Sequence, residues 1–550
     1  MASARALLRS WLALALIGCA DSGSISDDEV GEDTGDGDGE GQPLPEVGLR
    51  CAAASAPELA AIGGFSGTLD PRMFGPCGHL AYHDDQGQGW LIAPDGARSE
   101  LEHLGYDLVF APSGELMAWE RDLDGGLTLR DLLGGGERVL DASGTTDAFG
   151  FVPRFAEPSF GSWLWSCEDG LLERHDPDTS EMIAESVVCG SVVGSLGSPR
   201  IAYADQAGRV WIADLDSDEV IGSDDLEYAG YDGSKRDDTL WLDYEGAALL
   251  HVGVEWQGDP DVDSEWPVEL WSRLVDHEGA LLLDEPSLRL QQAPRRGAPV
   301  FVLGQGTIRR LDAGALSSVD EGLDSIALAG SGELFYTTEA DAVLALELDA
   351  TLPPTAIAEL DTPVALRPSN QASRLALAHH SGICIVDALG ECDRILLALR
   401  LWDRQAGLDP RRWLSTSPWN LVATLEEGDT LAIGAPVEAV GPTYAGEVPS
   451  PRVLWLDQEG VIQAELPAGN GGLAIRQSFE LGQGRVLFEY QSELGKGELM
   501  LARSQSEGFS SLAPEVDVAL LQALVDARAE RVAFVAEGSP STLWFGALPQ

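Results

Sequence analysis

Residues 394–419 hold five arginines and three tryptophans on a chain otherwise poor in base: Arg394, Arg400, Arg404, Arg411 and Arg412, with Trp402, Trp413 and Trp419. A guanidinium fork grips a carboxylate through paired hydrogen bonds, and an indole face covers a sugar ring or fills a pocket on a partner. The spacing therefore predicts a ligand or partner loop built on Arg400, Trp402, Arg404, Arg411, Arg412, Trp413 and Trp419. The competing reading neutralises nearby acids with the arginines and packs the tryptophans between layers of core. A second stretch, 255–266, carries Glu255, Asp259, Asp261, Asp263 and Glu265. Oxygen donors at alternate positions suit calcium, with Asp259, Asp261 and Asp263 as candidate ligands. No glycine stands where a known calcium loop turns, so a solvated acidic loop is the simpler expectation and no cofactor is expected.

Covalent and hydrolytic signatures are missing. The sequence contains no G-x-S-x-G, H-E-x-x-H or G-x-x-x-x-G-K, the spacings that build a nucleophile elbow, a zinc site and a phosphate loop. His277-Glu278 runs into Gly279 and a hairpin turn, and His379-His380 is expected to enter a turn. A catalytic funnel assembled from residues distant in sequence would leave no motif. A propeller-type glycan lyase or hydrolase is therefore the second reading behind a non-catalytic binding protein.

Acidic residues outnumber basic ones 91 to 34, for a net charge of −57. A field of that sign repels nucleic acid and anionic lipid, which excludes both as partners of the folded part. Nearly all the positive charge is arginine, Lys235 and Lys496 being the only lysines.

The elements that must position these residues are hairpins. In residues 199–216, Ile201 and Tyr203 alternate with small residues, Asp205-Gln206-Ala207-Gly208 supplies a turn, and Val210 and Ile212 resume the alternation. That is the pattern of two strands with one buried face. Similar hairpins pair Leu80 and Tyr82 with Trp90 and Ile92, Leu116 to Trp119 with Leu127 and Leu129, Val300 with Ile308, and Leu334 to Tyr336 with Val343. Further copies pair Leu375 and Leu377 with Ile383 and Ile385, and Leu421 with Leu431, while others begin at Leu240, Leu270, Val453, Val486 and Val532. About thirteen hairpins at a mean spacing of about 38 residues point to an all-β propeller. Residues 514–531 have helical spacing, but their place ahead of the strands 532–534 and 543–545 reads as another blade. The residues around 59–62 are expected to complete a blade with the opposite terminus.

The connections Ala111-Pro112-Ser113-Gly114, Ala329-Gly330-Ser331-Gly332 and Pro368-Ser369-Asn370 join strand to strand in a recurrent way. They resemble the turns of TolB-type periplasmic β-propellers and their WD-repeat-like relatives, although the usual aspartate of that turn is missing from all three. The resemblance implies a propeller over most of residues 60–550 and says little about activity. Thirteen hairpins exceed the roughly 4 to 8 blades of one ring. The expectation is two tandem propellers of about six blades, 49–298 and 299–550, the alternative being one seven- or eight-bladed propeller with insertions.

Arg5 and Arg9 precede an apolar run, Trp11 to Ile17, too short to cross a bilayer and suited to a signal peptide over residues 1–18. The run ends in Leu16-Ile17-Gly18-Cys19, which resembles the lipobox of bacterial lipoproteins. That resemblance implies lipidation of Cys19 as the first mature residue, and Ala20 behind it implies the outer membrane of a Gram-negative bacterium. Residues 19–48 are strongly acidic with few apolar side chains and are expected to form a disordered tether. Setting Cys19 aside leaves six cysteines in an exported chain, an even number that implies disulfides. Of 15 possible pairings, proximity favours Cys51–Cys77, Cys167–Cys189 and Cys384–Cys392. The sequence thus predicts a membrane-anchored propeller lipoprotein that binds a protein or polysaccharide of the cell envelope, touching the membrane through its lipid alone.

Overall fold

A computed structural model describes residues 49–549 apart from 52–53, 122–125, 141–145, 156–160, 229–235, 260–263, 296–297, 313–314, 322, 339–341, 348–352, 387–390, 411, 439–442, 447, 469–473, 493–495, 505–507, 515, 527, 529 and 539. The expected signal peptide 1–18, Cys19 and the expected tether 19–48 lie outside the described residues. Among those described, the regular structure is β-strand with two 3-10 turns and no α-helix.

Among the described residues the strands form eleven sheets in chain order, antiparallel except for one short parallel pair in the eighth; the ten with four or more strands are propeller blades. The first sheet has three strands, Leu80–His83, Gly89–Ile92 and Arg98–Leu101. Its innermost place is taken by the 3-10 turn Pro71–Met73 and a single bridge from Phe74 to Leu80. The opening hairpin is as the alternation predicts: Ile201 faces Ala213 and Tyr203 faces Trp211. Its turn is fixed by Asp205, whose carboxylate accepts the amides of Ala207 and Arg209 and the indole N–H of Trp211. Gly208 closes that turn at φ +83°, where a side chain would be strained. Asp84 with Trp90 and Asp457 with Gln463 repeat the device.

Apolar side chains on facing sheets interlock all the way round. Trp165, Cys167 and Val152 of the third sheet pack with Ile201 and Tyr203 of the fourth. Ala248, Leu250 and Leu274 of the fifth pack with Val300, Val302 and Leu311 of the sixth. Leu524, Val535 and Phe545 of the last pack with Leu80, Tyr82 and Ile92 of the first. The packing continues across residue 298, where the division into two six-bladed rings was expected, so that division is not confirmed. The spacing overcounts because Leu240 and Leu270 share the fifth sheet, and Leu421 and Val453 share the ninth. Long or interrupted strands in those two sheets present one blade twice.

Both ends of the chain build the last sheet. Val518–Val525, the segment with helical spacing, is its first strand, followed by Arg531–Ala536 and Ser541–Ala547. Ala60–Phe65 adds as the outer strand, Ala60 facing Phe545 and Phe65 facing Ser541. Arg531 locks this closure from inside at 1% exposure. Its Nε donates to the carbonyl of Pro94 and its Nη2 to that of Ala54, each at 2.9 Å, while Nη1 meets Asp526 at 3.2 Å and Glu530 at 2.9 Å. One side chain thus ties the N-terminal segment, the first sheet and the last sheet together. The three disulfides are Cys51–Cys77, Cys167–Cys189 and Cys384–Cys392.

Candidate functional site

The eighth sheet departs furthest from the repeat. Leu375 and Leu377 do not pair with Ile383 and Ile385 as expected; all four lie on one long strand, Arg374–Val386, which pairs with Cys392–Asp403. The longer hairpin is favoured because it carries two apolar zones in succession. Its inner half places Leu375 and Leu377 against the seventh sheet, and Ala376 and Ala378 against the ninth. Its outer half places Ile383, Ile385, Leu396 and Ala398 round Leu414, forming a small second core covered by Val437 and Tyr444. The chain between the second and third strands of the ninth sheet supplies those covers: Pro436–Val437 pairs with Trp413–Ser415, and Thr443–Tyr444 runs parallel to the long strand at Cys384 and Ile385. Cys384–Cys392, eight residues apart, staples the outer end. His379 and His380 stand within the long strand, ahead of an irregularity between His380 and Cys384, and not in a turn.

Within this extension the predicted ligand residues separate into two groups. Trp402, Trp413 and Trp419 serve packing. Trp402 meets Phe335 edge-on at 6.1 Å, and Trp413 donates to the carbonyl of Gly460 at 2.7 Å. Trp419, 5% exposed, donates to the carbonyl of Leu397 at 3.2 Å and lies across Gly434, where a Cβ would come within 2.4 Å of the indole. Arg404 pairs with Glu333 of the seventh sheet, whose carboxyl burial pushes above its usual range. Arg411 lies outside the described residues. The stretch expected as a loop is thus mostly strand, and its tryptophans fill the spaces between blades.

Among the described residues the other arginines form no ion pair within 4 Å. Arg394 is exposed, with no ion pair among the described residues. Arg400 donates through Nε and Nη2 to the backbone carbonyl of Asp409, at 3.1 and 2.7 Å, and burial lowers its pKa, with the Arg412 charge acting the same way against that of Asp409. Arg412 donates to the carbonyl of Ser381 at 3.4 Å. Burial also lowers the pKa of His379, and Arg400 and Arg412 push in the same direction while Asp361 opposes them. The charges of Arg400 and Arg412 thus meet at His379, while Arg394 stands further along the strand. Beside it opens a groove of about 400 Å³, in the size range of small-ligand sites, lined by His380, Arg394, Ile395 and Leu397 on one wall and by Ser415, Thr416, Ser417 and Pro418 on the other. The second wall is fixed by Ser415, whose hydroxyl donates to the carbonyl of Ser417 and accepts the amide of Ala435. Of the groove's lining, which leaves out the predicted Arg400, the sequence singled out only Arg394, as part of the basic patch, and passed over His380, Ile395 and Ser417 as ligand residues. Their signal, a strand that overruns its blade, shows only once the pairing is known.

Other polar clusters are structural in form. A cavity of about 250 Å³, near the lower end of that size range, lies among the first strands of the seventh, eighth and tenth sheets, where Arg367 pairs with Glu480 at 2.6 Å. It gathers two titratable groups, already bonded to each other. His175 sits between the hydroxyls of Ser166 and Ser180, each at 2.8 Å, and burial lowers its pKa to about 4. Buried His251 meets Asp238 at 3.4 Å, with Tyr228 stacked on it and Trp271 edge-on. Asp259 ends a long strand of the fifth sheet, and Asp261 and Asp263 lie outside the described residues. Among the described residues no three potential metal ligands come together.

No family model matches the sequence, and no curated protein matches it. Solved structures match at low identity. The tricorn protease is 11% identical with a TM-score of 0.28, over 88% of this chain and 61% of that one, so the chain spans about three fifths of that length. The C-terminal WD40 domain of Sif2 is 11% identical with a TM-score of 0.31, over 66% of this chain and 96% of that one. The β-propeller domain of the trilobed protease of Pyrococcus furiosus is 11% identical with a TM-score of 0.27, over 55% and 79%. These likenesses concern the β-propeller fold alone.

Proposed function

We propose that this protein is an exported, lipid-anchored β-propeller that binds a protein or polysaccharide of the cell envelope, without catalysis, through the extension of its eighth sheet. The observation that carries the reading is the groove side of that extension. On a chain of net charge −57, exposed Arg394 lines the groove without an ion pair among the described residues, and Arg400 and Arg412 of the same extension bond to backbone carbonyls. An arginine that has acids all around and pairs with none is available to a ligand. Three disulfides fit an oxidising compartment, and the Leu-Ile-Gly-Cys motif at Cys19 with the acidic segment behind it supports anchoring at a distance from the membrane. The test is affinity capture from envelope extracts with the full chain and its Arg394→Glu/Arg412→Glu variant. A partner retained by the wild type and lost by the variant supports the reading; identical partner sets refute it. Cys19→Ser is expected to move the protein from the membrane to the soluble fraction, and its staying membrane-bound would refute the anchor.

A further inference from the structure

We infer that acidification loosens the extension of the eighth sheet, with His379 as the group that takes the proton; the consequence for a ligand in the groove rests on the binding reading above. Pro363, His379, Ala398, Leu414 and Val437 stand opposite one another across neighbouring strands, so their side chains form one row on one face. Ala398 and Leu414 belong to the small second core that Val437 covers. His379 therefore stands at the foot of that core, 6% exposed. Its Nδ1 lies 2.7 Å from the carbonyl of His380, so Nδ1 carries the hydrogen and donates. Nε2 is buried and meets no hydrogen-bond partner among the described residues. A neutral imidazole leaves only a lone pair there. An imidazolium would have to bury a charged N–H without an acceptor.

The charged groups around His379 add to that penalty. Arg400 lies on the strand of Ala398 and Arg412 just ahead of the strand of Leu414. Burial first, and then these two arginines, hold the imidazole below its usual 6.5, against the His380 carbonyl and the carboxylate of Asp361. In an opened extension the imidazole reaches water and returns to its ordinary value. Above 6.5 both forms are neutral and pH has no effect. Below it the open form binds the proton first, so the closed form loses stability as the pH falls. The second core is small, with Ile383, Ile385, Leu396, Ala398 and Leu414 under Val437 and Tyr444. Pro436–Val437 and Thr443–Tyr444 are each held by two register pairs. A patch of that size opens at low free energy while the ring stays closed. Leu397 and Ser415, which face each other in this sheet, line opposite walls of the groove, so loosening here also slackens the groove.

Hydrogen exchange of the full chain at about pH 7.5 and about pH 5.5, corrected for the intrinsic rate, tests this. Protection in Trp413–Ser415 and Thr443–Tyr444 is expected to fall at least about threefold at the lower pH. The sixth sheet, which has no histidine, should keep its own. His379→Asn retains a donor for the His380 carbonyl and cannot titrate, so its extension should lose the pH dependence. In the wild type alone, deuterium uptake at the imidazole C2–H, read by mass spectrometry, should give His379 a midpoint below 6.5. Equal protection at both pH values overturns the inference, as does loss in every sheet together, a loss that His379→Asn retains, or a midpoint at or above 6.5. If the extension opens on acidification while envelope capture is indifferent to Arg394 and Arg412, the pH response stands and the binding reading falls. If capture needs them and the extension ignores pH, the binding reading stands and this inference falls.

Discussion

Replacing Arg531 by methionine keeps most of the buried stem and removes the guanidinium. Asp526, fully buried, then loses its countercharge, and the carbonyls of Pro94 and Ala54 lose a donor each. Breaking a buried pair by removing one partner costs about 3–5 kcal/mol, and each lost hydrogen bond about 1 kcal/mol. Arg531→Met should therefore destabilise the closure by about 5–7 kcal/mol, a large fraction of the stability of any single domain. The loss should be local first, since the guanidinium joins only the N-terminal segment, the first sheet and the last. Hydrogen exchange followed by mass spectrometry should show protection falling in Ala60–Phe65 and Ser541–Ala547 before it falls in the sixth sheet. A second signature is pH. Burial raises the pKa of Asp526, so the folded protein binds more protons there than the unfolded chain, and the variant should regain stability as the pH is lowered. Asp526→Leu together with Arg531→Met removes the orphaned charge and should recover most of the deficit. A single variant within about 1 kcal/mol of wild type, or a double variant as weak as the single, would refute the reasoning.

Burial holds His79 and His175 at about 4, below the 6.5 of the unfolded chain. Both states are neutral above 6.5, so stability should fall as the pH drops from 6.5 to 4. Each group contributes up to about 3 kcal/mol to that fall, and His175→Asn should flatten the unfolding midpoint measured across that window. Trp419→Ala removes the indole between the eighth and ninth sheets and should cost about 3–5 kcal/mol in urea unfolding. An effect below about 1 kcal/mol would mean that the indole is not core. Cys384→Ser/Cys392→Ser should lower the stability of the extension by roughly 2–3 kcal/mol through loop entropy. It should speed proteolysis near the hairpin tip while leaving the ring intact, and unfolding of the whole chain would contradict this.

Blades were legible in the sequence because each needs one buried face, and alternation such as Ile201–Tyr203 against Val210–Ile212 exposes that need directly. Closure was legible for the same reason: the segment near residue 60 had no hairpin partner of its own, and the strands after 531 ended the chain one strand short of a blade. The number of rings was not, since the long strand Ala248–Asp259 and the interrupted ninth sheet repeat the alternation without adding a blade. At the site, the unusual run of arginine and tryptophan was visible, but its division of labour was not. Trp419 and Arg394 look alike as exposed-loop candidates until the register buries one against Gly434 and leaves the other in solvent.

Because Ala60–Phe65 belongs to the last sheet, the first strand made waits for the last one. During synthesis some 480 residues must appear before Phe65 can meet Ser541, a loop closure of very high contact order. Until then a growing stack of sheets carries one open edge at the front and another at the advancing end. Such edges invite pairing with other chains. The net charge of −57 makes such stacks repel one another, which opposes edge-to-edge pairing between chains before closure.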